Sequence, residues 1–172
     1  MSKLTVYHIP VPAHVREFLI KEFGPDPWPI HQNQFMGVVV KMKVEKHPFR
    51  QLERHVSIVP DPRRCVRLTL PTALKHYTLE QESTKAIGDL LNKFFQQQMF
   101  KFVQGQAVVT GNDRAALRCF MNLYGINPET YDLEVARKAY RDYKDRIIEQ
   151  GGHLVQLYQE PETLFSDYAK AS

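Results

Sequence analysis

The chain has 172 residues, a length that suits one domain burying roughly 70% of its unfolded surface. Hydrophobic residues make up 43%, including ten Phe, eight Tyr and one Trp, which excludes disorder as a description of the whole. Its two cysteines, Cys65 and Cys119, are too few and too far apart for a disulfide framework or a cysteine-rich zinc site.

In chain order, residues 3–9 alternate Leu4, Val6 and His8 against Thr5, Tyr7 and Ile9, a strand pattern stopped by Pro10. Pro12 suits the first turn of a helix over residues 12–23, with Val15, Phe18, Leu19 and Phe23 on one face and Gly24 as its stop. The Gly24-Pro25-Asp26-Pro27-Trp28-Pro29 stretch can be neither helical nor central in a sheet, so it reads as a rigid loop with Trp28 as its anchor. Residues 36–44 alternate Val40, Met42 and Val44 with Lys41 and Lys43, as a half-buried strand would, although Phe35, Val39, Met42 and Lys46 also fit helical spacing. Two more strand patterns, residues 55–59 and 65–70, flank the turn Pro60-Asp61-Pro62-Arg63. If they pair, Arg67 and the lysines of the preceding strand share the polar face.

From Thr78 the pattern turns helical. Thr78-Leu79-Glu80-Gln81 has the form of a capping box, and Ile87, Leu90, Leu91, Phe94, Phe95, Phe102 and Val103 recur at helical spacing, predicting a helix over about 79–103. Residues 107–110, between Gly105 and Gly111, read equally as continued helix or loop. Asn112 or Asp113 caps a further helix whose stripe is Leu117, Phe120, Met121 and Tyr124, ending at Gly125. Leu133, Ala136, Tyr140, Tyr143 and Ile147 define another over 132–150. The expected fold is therefore α+β: short strands in the N-terminal part and three to four helices in the C-terminal part. It forms a single domain over 1–172, with a basic strand-containing part (1–77), a helical part (78–152) and a docking tail (153–172).

Charge divides along the same line. Residues 1–77 hold 12 Lys and Arg against 6 Asp and Glu, a balance of +6, whereas residues 78–172 hold 11 against 13, or −2. The excess lies between Lys41 and His76, the footprint expected of a surface that meets a polyanion. A basic face that docks on an acidic protein partner is the competing reading. No signal peptide or membrane-spanning stretch is expected, because Pro10, Pro12, His8 and His14 break the N-terminal run and Lys41 and Lys43 interrupt the apolar one. A cytoplasmic location follows from that and from the two unpaired thiols.

Enzyme signatures are missing: there is no glycine-rich phosphate loop, nucleophile elbow or metalloprotease helix. The seven histidines include no pair at i, i+4, so no metal site is expected, and Cys119 beside the apolar stripe reads as a buried small hydrophobe. The helices joined by residues 124–127 invite comparison with a helix-turn-helix that would present Arg137, Arg141 and Lys144. In the same segment five acids cancel five bases, and Glu134–Lys138 and Asp142–Arg146 are spaced as ion pairs, so a salt-bridged solvent face is the stronger reading.

Residues 11–19, Val-Pro-Ala-His-Val-Arg-Glu-Phe-Leu, and residues 116–126, Ala-Leu-Arg-Cys-Phe-Met-Asn-Leu-Tyr-Gly-Ile, resemble small uncharacterised proteins carried by phages and conjugative elements of Bacteroidetes. The resemblance covers about a third of the chain. It implies a DNA-associated context and brings neither an activity nor catalytic residues. The expectation is a non-enzymatic nucleic-acid-binding protein, without cofactor or metal, whose phosphate contacts come from Lys41, Lys43, Arg63, Arg64 and Arg67. The alternative is an assembly module that pairs through its aromatic helices with copies of itself or another protein.

Overall fold

The computed structural model of the chain describes residues 6–30, 37–38, 40, 43, 45–46, 61–70 and 77–150. Over these it is α+β, a small sheet in the N-terminal part followed by helices. The elements are β1 (Val6–Pro10), α1 (Ala13–Phe23), β2 (Trp28–Pro29), β3 (Glu45–Lys46), β4 (Cys65–Thr69), β5 (Tyr77–Thr78), α2 (Gln81–Thr110), α3 (Asp113–Tyr124) and α4 (Leu133–Glu149). The chain divides into two compact units, Met1–Gln96 and Gln97–Ser172, with the boundary inside α2.

In the first unit β4 is the middle strand of a three-stranded sheet, antiparallel to β1 and parallel to β2. His8 faces Arg67 and Tyr7 faces Leu68 across the β1–β4 ladder. The alternation of β4 decides its two faces: Val66 and Leu68 are buried and Arg67 is exposed, as a period of two requires. Pro10 closes β1 as its last residue rather than standing beyond it, and Pro29 lies in β2; both are edge strands, where a missing N–H costs no ladder bond. A separate pair joins β3 to β5, Glu45 opposite Thr78. The strand expected at residues 55–59 lies outside the described residues.

Helix α1 buries Val15, Phe18 and Leu19. Phe18 meets Phe95 edge-on at 5.4 Å and tilts against Phe94 at 6.1 Å, and His14 meets Phe95 at 5.2 Å. Gly24 ends the helix at φ 86°, its N–H returned to the Ile20 carbonyl at 2.9 Å. Phe23 is 45% exposed, yet its ring stacks on Phe94 and abuts Trp28.

Three expectations change here. Gly37, Val38 and Val40 are helical and not extended. On a strand Val38 and Val40 would share a face, but Val38 is 48% exposed and Val40 0%, the separation that roughly 200° of helical rotation produces over two residues. The capping box does not form: Thr78 pairs in β5, and the first carbonyl of α2 to be used is that of Glu80, bonded by the Thr84 N–H at 2.9 Å. Helix α2 also continues past Gly105 to Thr110, so residues 107–110 are helix. An i, i+4 row of Ile87, Leu91, Phe95, Met99 and Val103, each fully buried, supplies the apolar stripe that carries it so far.

In the second unit α3 buries Ala116, Leu117, Phe120 and Met121, and α4 buries Ala136 and Tyr140. Asn112 caps α3 by accepting from the Ala115 N–H at 3.0 Å, and Asp132 caps α4 by accepting from Glu134 N–H at 2.7 Å. Gly125 closes α3 at φ 64°, with the Gly125 N–H on the Asn122 carbonyl and the Ile126 N–H on that of Met121, the paired bonds of a Schellman end. Phe100 stacks on Tyr143 at 4.5 Å, and Phe102 packs on Phe120 at 5.5 Å. Among the described residues no helix is long and apolar enough to cross a membrane.

Two glycines of α2 make opposite demands. A Cβ at Gly88 would overlap the Pro10 carbonyl oxygen, whereas one at Gly105 would meet nothing within 4 Å. Gly105→Ala should therefore stabilise the protein by about 0.5–1 kcal/mol through helix propensity. Gly88→Ala should destabilise it by about 1–3 kcal/mol, because backbone must move. Urea unfolding of both variants checks this, and a stabilised Gly88→Ala would mean that α2 does not lie against the end of β1.

Candidate nucleic-acid interface

Four of the expected basic residues lie in described positions, and they have different surroundings. Lys43 is exposed in a turn closed by its own N–H on the Val40 carbonyl at 2.9 Å. Lys41 lies outside the described residues. Arg63 and Arg64 are exposed on a one-turn 3-10 helix, Pro62–Arg64, that leads directly into β4.

That turn is pinned by short-range chemistry. Pro62 presets its backbone, and the Asp61 carboxylate accepts from the Arg63 N–H at 2.9 Å while the Asp61 carbonyl accepts from the Arg64 N–H at 2.8 Å. Two further bonds lay it against α1: the Arg64 carbonyl accepts from the Val11 N–H, and the Cys65 carbonyl from Arg16 Nε, both at 3.0 Å. The Arg63 and Arg64 amides and the Asp61 and Arg64 carbonyls are thus engaged, while among the described residues neither the Arg63 nor the Arg64 guanidinium has a partner. A fixed backbone carrying two free cations loses little entropy when an anion binds.

Arg67 is different. Its Nη2 donates to Asp26 Oδ1 at 3.1 Å and to the Asp26 carbonyl at 3.0 Å, and its backbone N–H donates to Oδ2 at 2.8 Å. The pair fastens the proline-rich loop to β4. The Asp26 side chain is 6% exposed and that of Arg67 46%. Burial alone would raise the Asp26 pKa, but the hydrogen bonds and charge of Arg67, helped by the charge of Arg16, hold it below the usual carboxylate value. In the same loop Trp28 is a buried anchor, its Nε1 donating to the Gly24 carbonyl at 2.9 Å.

Cys65 offers no activated nucleophile. Cys65 is buried with Sγ 3.8 Å from His8 Nδ1. Burial and the nearby Asp26 raise its pKa against the opposing pull of Arg16 and Arg67, so the thiol stays protonated at neutral pH. Cys119 is exposed rather than buried. It sits roughly 150° around α3 from the middle of the Leu117–Phe120–Met121 stripe at 100° per residue, and sequence adjacency to Phe120 misled. Among the described residues no three His, Cys, Asp or Glu side chains gather as a metal site.

The helix-turn-helix comparison also weakens. Residues 125–132 separate α3 from α4, a longer link than the roughly 3–4 residues of that motif. Arg137 pairs with Glu134 at 3.5 Å, and Glu134 also takes Arg114 at 3.2 Å rather than being reserved for Lys138. Lys144 reaches Asp113 at 3.1 Å and lies over the Tyr140 ring, and Arg146 Nε donates to the Asp142 carbonyl at 3.2 Å. These bases belong to a salt-bridged helix face.

Sequence reasoning passed over Arg16, which the fold brings against the 3-10 turn. Only the knowledge that α1 lies beside the start of β4 would have singled it out. Comparison with protein families, with curated proteins and with solved structures finds no match to the chain.

The ion pair predicts an acid response. With its folded pKa below the unfolded value of about 3.9, Asp26 contributes stability above that value and loses it as pH falls through the folded pKa. Asp26→Asn should cost about 1 kcal/mol at pH 7, discounted for the half-exposed Arg67, and should flatten the decline of stability below about pH 4. Urea titrations across that range decide it; a variant matching the parent in both respects would contradict the assignment.

Proposed function

We propose that the protein binds nucleic acid without catalysis, through phosphate contacts made by the basic surface of its N-terminal unit, in the cytoplasm of a cell that harbours a phage or conjugative element. The observation that carries this reading is the pair Arg63 and Arg64: adjacent, exposed, their guanidinium groups without partners among the described residues, and held on a turn pinned by Asp61 and by the Val11 N–H. Guanidinium groups in that setting suit phosphate oxygens, which accept from two N–H donors at once. Lys43 and Lys41 extend the proposed surface, and Arg67 borders it.

Phosphate contact gives affinity and orientation, not sequence reading. Of the three bases that a recognition helix in α4 would present, Arg137 and Lys144 are tied to Glu134 and Asp113 and only Arg141 is left exposed, which speaks against base reading by that helix. The competing reading, assembly through aromatic helices, loses support because those aromatics are spent internally: Phe95 on Phe18, Phe100 on Tyr143 and Phe102 on Phe120.

Fluorescence anisotropy with random-sequence duplex DNA, single-stranded DNA and RNA tests the proposal. With two to three phosphate contacts, affinity for duplex should fall roughly 10- to 40-fold between 50 and 200 mM salt, and changing Arg63 and Arg64 together to Ala should reduce the salt slope by about 2 without unfolding the domain. Failure to bind any of the three nucleic acids at low salt would remove this function and leave a protein partner as the alternative.

A further inference from the structure

We infer that Arg16 is a third phosphate ligand of this surface and that Arg67 is a positioning residue rather than a ligand. The inference rests on the nucleic-acid reading and sharpens it, since Arg67 lies closer in sequence to Arg63 and Arg64 than Arg16 does. Distance along the chain misorders them. Arg16 comes from α1, but its Nε is bonded to the carbonyl of Cys65, the residue after Arg64, while the Val11 N–H holds the Arg64 carbonyl itself. Arg16 is thus anchored to the backbone that directly follows Arg63 and Arg64, where the start of α1 lies beside the entry to β4.

The two candidates use their guanidinium groups differently. Arg16 spends only Nε on the protein, and the described residues offer its terminal nitrogens no acceptor. One hydrogen bond and partial burial orient the group and leave its terminal nitrogens available to a phosphate, although its charge also acts on Asp26, to which it makes no hydrogen bond. Arg67 spends Nη2 on both the carboxylate and the carbonyl of Asp26, and the nearly buried carboxylate cancels its charge locally. An anion that took Arg67 would have to displace that carboxylate and leave the proline-rich loop unfastened.

The test is the salt dependence of binding to a short fluorescein-labelled random-sequence duplex, using the full chain and single variants whose folding is followed by circular dichroism and urea unfolding. Arg16→Gln should weaken binding several-fold and reduce the slope of log affinity against log salt by about 0.9, the loss of one phosphate contact. Arg16→Lys keeps the charge but not the Nε bond and should retain the parent slope, which a merely structural role for Arg16 would not allow. Arg67→Gln should lower the urea midpoint and leave the slope unchanged. If the parent binds and Arg67→Gln lowers the slope while Arg16→Gln does not, the inference is wrong and the nucleic-acid reading stands. If the parent binds no nucleic acid at all, the reading beneath it falls.

Discussion

The N-terminal unit depends on β4. Five residues, Cys65–Thr69, accept β1 on one side and β2 on the other, turn Val66 and Leu68 into the core, and point Arg67 outward to the proline-rich loop. Their entry is just as constrained, because the carbonyls of Arg64 and Cys65 hold the start of α1. A strand engaged on both edges and both faces cannot slip register without exposing Val66 and Leu68, each worth roughly 1.5–3 kcal/mol of burial. The arginines that precede it inherit that rigidity, which is what the proposed phosphate surface on the 3-10 turn relies on.

Close backbone approach is the second constraint. At Gly88 the missing side chain lets α2 touch the carbonyl at the end of β1, and Phe95, two turns further on, meets His14 and Phe18 of α1. Phe95 is fully buried by this packing.

The helices were legible in the sequence because burial repeats every three to four residues and their ends carry local signals, Asn112 and Asp132 at the starts and Gly125 at a stop. Strand β4 was legible through the alternation of Val66 and Leu68 with Arg67 and Thr69, although Cys65, expected on the Arg67 face, is buried too. Features decided by distant partners carried no local signal. Arg67 resembles its basic neighbours, and its ion pair with Asp26, 41 residues earlier, is seen only in the fold. Arg16 carries no motif and gains its place only from the packing of α1. Residues 36–44 satisfied two periodicities at once, and the burial of Val40 with exposure of Val38 was needed to choose helix. Cys119 shows that adjacency to an apolar stripe does not set the direction of a side chain.

The central claim is that one small, rigid, basic surface on the N-terminal unit meets phosphate, and amide chemical shifts of the whole chain during titration with a short DNA duplex test it most directly. The account predicts perturbations concentrated at residues 11–16 and 61–67, fading as salt is raised. Perturbations centred on α3 and α4, or none at saturating duplex and low salt, would contradict it.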